Sequence, residues 1–192
     1  HRSADWWIWT DYLRQKEQID LTITASQLKT LFGKPLAEIA ALVFPEYPEN
    51  EQLRLIDGCC EAEHALLHIT GAPLYEDLEK ALQILSAQYP LYIVSNSQCG
   101  YIELFLEKTG FAKYFQGHLC NGDTGLDKGS NIRQIADQNG LKDPVYVGDT
   151  MGDFEACRKA GVPFVLAEYG FGKVPEPDMQ ISKPMDLITL FC

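Results

Sequence analysis

No stretch of this sequence stays apolar for the ~18 residues that a membrane-spanning helix needs, so no membrane partner is expected. Residues 1–5 lack the charged-then-apolar pattern of a secretory leader. Positive charge is scarce: 16 Lys and Arg stand against 27 Asp and Glu, a net charge of −11. A surface of that sign repels phosphate backbones, which argues against nucleic-acid binding. It also means that an anionic substrate must be met by a locally positive pocket built from lysine, backbone N–H groups or a metal. No Cys-x-x-Cys pair occurs among the six cysteines, at 59, 60, 99, 120, 157 and 192, and adjacent Cys59 and Cys60 are poorly placed to bridge each other. Reduced thiols and a cytoplasmic location are the expectation. Repeats and low-complexity tracts are absent as well.

What is present suffices for one core with a small accessory domain: 192 residues, 46% of them hydrophobic. The chain changes texture near residue 70. Before it, helical spacing dominates. Trp6, Trp9 and Leu13, with Ile8 and Tyr12, form an apolar stripe. Thr24-Ala25-Ser26-Gln27 opens a second helix that runs to Phe32 and stops at Gly33. A third covers Leu36 to Val43 and ends before Pro45, and a fourth covers about 49–67. Short loops join them, as in a helical bundle. After Gly71-Ala72-Pro73, helices and short apolar strands alternate. The strands are read at 91–94, weakly at 118–120, at 145–147 and at 163–166, with Ile181 ending a last one. This alternation predicts an α/β fold with a doubly wound parallel sheet, its strands buried.

Ligands of such sheets bind beyond the carboxyl ends of the strands. Ser95-Asn96-Ser97 follows the first strand and leads into a helix, so hydroxyls and backbone donors could receive a phosphate. The plain alternative is that Ser97 caps that helix. Gly148-Asp149-Thr150-Met151-Gly152-Asp153 follows the 145–147 strand. Two carboxylates four residues apart at a strand-to-helix junction suit Mg²⁺, which takes hard oxygen ligands and keeps several waters. They could instead be a cap and a helix-dipole partner. Lys128 lies just before a helix start, where acids are preferred. Such a lysine suits an anion or a carboxylate cluster, or it is simply solvated. His64 and His68 are one turn apart but have no apparent third ligand.

In this order and context, Val94-Ser95-Asn96, Lys128 and Gly148-Asp149-Thr150-Met151-Gly152-Asp153 resemble the second, third and fourth motifs of the haloacid dehalogenase superfamily. Gly100-Tyr101-Ile102-Glu103, Thr124-Gly125-Leu126, Ala160-Gly161-Val162-Pro163 and Tyr169-Gly170-Phe171-Gly172 are similar to its phosphoglycolate-phosphatase-like branch. The resemblance covers nearly the whole chain. It implies a Rossmann-like core over 71–192 and a small helical cap over 1–70. It also implies an Mg²⁺-dependent phosphomonoesterase that acts on a small phosphorylated metabolite through an aspartyl-phosphate. In that reading Ser95 and Asn96 hold phosphate, Lys128 stabilises nucleophile and phosphoryl group, and Asp149 binds the metal, with Asp153 supporting metal or lysine. Lys34, in a cap loop, would meet the rest of the substrate, unless it is an ordinary surface lysine. The Trp6, Trp7 and Trp9 cluster is expected in the cap core.

The superfamily's first motif, Asp-x-Asp-x-Thr, which carries the nucleophile, does not occur in the chain. Its strand would lie between those at 91–94 and 145–147, so its absence predicts a gap of about 9–10 Å there. The expectation is an upstream segment of about 10–20 residues that supplies strand and nucleophile. The protein is then a monomer or homodimer, domain-swapped if a second copy fills the gap. The competing readings are a phosphosugar mutase, a phosphonate-cleaving enzyme, or a catalytically inactive phosphate-binding homologue.

Overall fold

A computed structural model of the chain describes residues 6–31, 33–71 and 73–192. Two compact units divide between Pro73 and Leu74.

The first unit is helical: α1 (Trp6–Tyr12) runs into a π-helical turn (Leu13–Glu17), followed by α2 (Ala25–Leu31), α3 (Leu36–Val43) and α4 (Glu49–Thr70). Local chemistry sets the helix starts. Thr24 Oγ1 accepts the Gln27 N–H at 3.2 Å while Gln27 Oε1 accepts the Thr24 N–H at 3.0 Å, a reciprocal cap. Pro48 precedes α4 at φ −64°, where its missing N–H costs nothing. Ile8, Trp9, Leu13, Leu28, Phe44, Leu55 and Ile56 form the core. The tryptophans do not act together as expected: Trp9 is buried, whereas Trp7 is 46% exposed, because successive helical residues point about 100° apart. The Trp6 side chain and Phe32 lie outside the described residues.

The second unit alternates: α5 (Leu78–Ser86), β1 (Tyr92–Ser95), α6 (Tyr101–Thr109), a 3₁₀ turn (Phe111–Tyr114), β2 (Gly117–Cys120) and α7 (Asn121–Thr124) come first. Then follow α8 (Lys128–Gln138), β3 (Tyr146–Gly148), α9 (Met151–Ala160), β4 (Phe164–Ala167), β5 (Met179–Ile181) and α10 (Asp186–Phe191). Every strand pair is parallel, as the alternation predicts. The strands form two sheets, however: β1 pairs with β2, and β3–β4–β5 stand apart. Among the described residues no strand lies between β1 and β3. The Tyr146 hydroxyl crosses that interval and donates to the Val94 carbonyl at 2.9 Å.

One core joins the two sheets. Val94 of β1 packs with Phe164 and Leu166 of β4, with Ile132 and Ile135 of α8, and with Cys157 and Ala160 of α9. β4 is buried along its whole length, as expected of a strand covered on both faces. β3 departs from that expectation: Val145 and Val147 are 38% and 39% exposed. They share one face of the strand, and that face is left open.

Gly58, inside α4, tests the first unit's packing. A Cβ there would stand 1.9 Å from the Tyr12 hydroxyl, which itself donates to Glu17 at 2.8 Å. Glu17 is in turn held by the Arg54 guanidinium at 2.6 Å. Gly58→Ala should therefore lower stability by about 1–2 kcal/mol in denaturant titrations, overpacking outweighing the gain of about 1 kcal/mol in helix propensity. An increase would show that Tyr12 swings clear at no cost.

Candidate functional site

The site is built outward from α8 and the β3–α9 junction. Asp127 caps α8, accepting the Ser130 N–H at 3.1 Å, and Lys128 follows as the first helical residue. Its side chain turns inward. Lys128 is 8% exposed, which removes the solvated-lysine reading. Its Nζ lies 2.5 Å from Asp153 Oδ1, with Asp153 only 4% exposed, and 5.9 Å from the centre of the Tyr146 ring. Desolvation opposes the charge on Lys128, but the facing Tyr146 phenol and Asp153 carboxylate outweigh it, and the ammonium is held above the usual lysine range. Burial opposes ionisation of Asp153 too. The Lys128 ammonium, the Asp149 N–H and the Thr150 hydroxyl outweigh it, and the carboxyl is held below its ordinary value.

The other oxygen of Asp153 is also committed. Oδ2 accepts the N–H groups of Asp149 and Thr150, each at 3.1 Å, and the Thr150 hydroxyl at 2.9 Å. The Asp153 N–H returns to Thr150 Oγ1 at 3.1 Å, completing a capping box for α9. Asp153 is thus both the cap partner of α9 and the partner of Lys128. Gly148 makes the turn possible, since a Cβ there would stand 2.7 Å from that of Asp153.

Asp149 is placed differently. It is half-buried, and only its Oδ2 has a protein donor among the described residues, the Phe171 N–H at 2.9 Å. Its carbonyl accepts the Gly172 N–H at 2.8 Å. The Tyr169–Gly172 turn closes tightly on it, as a Cβ on Gly170 would stand 2.2 Å from the Asp149 Cβ. Burial pushes the Asp149 carboxyl above its ordinary value, the Phe171 N–H offsetting only part. Among the described residues no cation pairs with it, because Lys128 is committed to Asp153. A desolvated carboxylate with one uncommitted oxygen and no partner cation is a donor set that fits Mg²⁺. Of the two aspartates at the junction, Asp149 has the open oxygen and Asp153 the lysine.

Ser95 ends β1, one residue beyond the carbonyl that Tyr146 holds. Its Oγ accepts the Ser97 N–H at 3.1 Å, which leaves the Ser95 hydroxyl hydrogen free to donate. Ser97 does not cap α6: Gly100 occupies that position with φ +81°, and the Ser97 Oγ is buried with no hydrogen-bond partner. Asn96 lies half-buried between them. Lys34 belongs to the first unit, where its ammonium pairs with Glu38 one turn on. Sequence reasoning missed Tyr146, Ser97 as an open hydroxyl, and the Phe171 N–H. Tyr146 read as one more apolar residue of a strand, and nothing in the local pattern marks a backbone donor.

Two substitutions should move stability in opposite directions. Asp153→Ala strands a buried ammonium and removes the α9 cap, so a loss of about 3–5 kcal/mol is expected, or roughly 10 °C in the thermal midpoint. Asp149→Asn removes an unpaired desolvated charge and should raise the metal-free midpoint by about 2–4 °C. The pH signs follow. Asp153, depressed, contributes stability above the usual aspartate range that is lost as pH falls through its lower folded value. Asp149, raised, favours the folded state at acid pH, and that contribution is lost as pH rises through its folded value. Thermal melts from pH 3 to 8 check both.

Comparison with known proteins identifies the family. The family model described as haloacid dehalogenase-like hydrolase matches residues 5–167. Phosphoglycolate phosphatase of Escherichia coli (strain K12) is 26% identical over 175 residues, 85% of this chain and 66% of that protein. The phosphoglycolate phosphatase of Salmonella typhimurium is 25% identical over 172 residues, 84% of this chain and 66% of the relative. The chain thus spans just under two thirds of the length of these relatives. Among solved structures, a haloacid dehalogenase-like family hydrolase from Streptococcus pneumoniae superposes with a TM-score of 0.83 at 19% identity, covering 99% of this chain and 91% of that one. A predicted phosphoglycolate phosphatase from Haemophilus somnus gives 0.81 at 18%, covering 98% and 90%. With a parallel α/β core, a buried lysine–aspartate pair and a family match over residues 5–167, the chain belongs to the haloacid dehalogenase-like hydrolases.

Proposed function

We propose that the protein takes part in Mg²⁺-dependent hydrolysis of a small phosphate monoester, with a phosphorylated carboxylic acid such as 2-phosphoglycolate as the first candidate substrate. The observation that carries this reading is Lys128, a buried ammonium fixed by Asp153 beside the open carboxylate of Asp149. Phosphoryl transfer asks for positioning and charge neutralisation, and this arrangement supplies both. The Ser95 hydroxyl and the unpartnered Ser97 hydroxyl donate to phosphate oxygens. Lys128 neutralises the phosphoryl charge, and Asp153 keeps its ammonium protonated and aimed. Tyr146 ties the Val94 carbonyl to this cluster and so sets the height of the Ser95 loop. Asp149 would hold Mg²⁺, which when bound adds further neutralisation of the phosphoryl group. The Escherichia coli and Salmonella relatives are phosphoglycolate phosphatases, which supports a compact anionic ester.

One feature favours a second reading. The 192 residues contain no Asp-x-Asp-x-Thr, so alone they would bind phosphate without forming an aspartyl-phosphate. The test measures phosphate release from 2-phosphoglycolate and p-nitrophenyl phosphate together with binding of inorganic phosphate. A chain extended by a strand that ends in Asp-x-Asp should turn over with Mg²⁺, stop with EDTA, and lose about 10²–10³-fold in kcat with Lys128→Met. Residues 1–192 alone should bind phosphate, more weakly after Lys128→Met, without turnover. Release by residues 1–192 that ignores both EDTA and Lys128→Met would remove the proposal.

A further inference from the structure

A second cluster of metal-ligating side chains lies at the carboxyl end of the β1–β2 pair. Glu103 comes from the first turn of α6, His118 from β2 and Asp123 from α7. One ligand atom of each lies within 4.8 Å of the other two. Three ligands from three separate elements converge on one point, unlike carboxylates scattered along a single exposed helix face. Among the described residues no lysine or arginine pairs with Glu103 or Asp123, so two negative charges face each other across an imidazole.

The imidazole itself lacks partners. His118 Nδ1 is buried without a hydrogen bond, and Nε2 stands 4.0 Å from Glu103 Oε1, too far for one. Asp123 is by contrast oriented: its Oδ2 accepts the Cys120 thiol at 3.0 Å. A ligand carboxylate fixed by an outer hydrogen bond is the usual arrangement around a bound metal.

We propose that Glu103, His118 and Asp123 bind a first-row transition-metal dication such as Zn²⁺, with the Cys120 thiol orienting Asp123 from outside. The imidazole decides the class of ion: nitrogen ligands suit Zn²⁺, Ni²⁺ or Cu²⁺, whereas Mg²⁺ prefers an all-oxygen set. Three protein ligands leave one tetrahedral position open to water. The ion would tie α6, β2 and α7 together against the phosphate-binding loop. The Gly122 N–H already donates to the Ser97 carbonyl at 3.0 Å, and Ser95 pairs in register with Cys120. This site is separate from the one at Asp149 and does not rest on the phosphatase reading.

The test is titration with Zn²⁺, in competition with a chromophoric chelator and without phosphate ester. The variants are His118→Gln, Asp123→Asn, the exposed-site variant Glu103→Gln, and Asp149→Asn. The wild-type chain and Asp149→Asn should each bind one equivalent of Zn²⁺ and melt several degrees higher with it. His118→Gln and Asp123→Asn should weaken binding at least tenfold. Glu103→Gln, whose side chain can change without disturbing the core, should weaken it while the metal-free melt stays unchanged. Absence of saturable binding, binding unaffected by all three substitutions at the cluster, or binding lost in Asp149→Asn would each overturn the proposal.

Discussion

The buried ion pair between Lys128 and Asp153 is the constraint on which the rest of the site depends. Each charge is nine-tenths or more removed from solvent, so either alone would be prohibitive. The pair is tolerable because Asp153 is also the cap of α9 and accepts three further donors from Asp149 and Thr150. The start of α9, the aim of the lysine and the position of Asp149 are therefore one interlocked arrangement. Asp149 bears the consequence. Among the described residues Lys128 is the ammonium beside it and is held by Asp153, so Asp149 is left desolvated, with one oxygen open and its carboxyl pushed above its ordinary value by burial.

The same economy governs the sheet. β1 and β3 are not hydrogen-bonded to each other, yet the unit holds together because Val94, Phe164 and Leu166 share a core with α8 and α9. A phenol rather than a ladder of amides spans the interval, and it lies over the Lys128 ammonium as it does so. A tyrosine that satisfies a stray carbonyl and faces a buried cation links the Ser95 loop to the Lys128 cluster. The two carboxyl ends, separate in hydrogen-bonding terms, form one chemical neighbourhood through Tyr146.

Much of this was legible in the sequence. The alternation after Pro73 gave the parallel strands, since short apolar runs such as 163–166 can only be satisfied by a sheet covered on both faces. Lys128 stood out because a lysine at a helix start runs against the dipole. Asp149 and Asp153 stood out by spacing, but which of them would be open and which committed depends on a capping geometry that Thr150 decides. The remainder was hidden for physical reasons. Tyr146 has the pattern of a core residue and acts through its hydroxyl. Ser97 reads as a cap until Gly100 takes that role with a positive φ that a serine would resist. Val145 and Val147 read as buried, and only the strand's open face exposes them. Phe171 contributes a backbone N–H, for which side-chain identity carries no signal. α7, which carries Asp123, is too short to show a periodicity.

The proposed roles make Asp149 a cation ligand and set Lys128, fixed by Asp153, against a phosphate. Anomalous diffraction from crystals soaked in Mn²⁺ and inorganic phosphate tests them most directly, with Mn²⁺ standing in for Mg²⁺. A metal peak is expected on the Asp149 carboxylate, with a phosphate within hydrogen-bonding distance of Lys128 Nζ and the Ser95 hydroxyl. An Asp149 carboxylate free of metal at saturating Mn²⁺, or a phosphate bound away from Lys128, would contradict them.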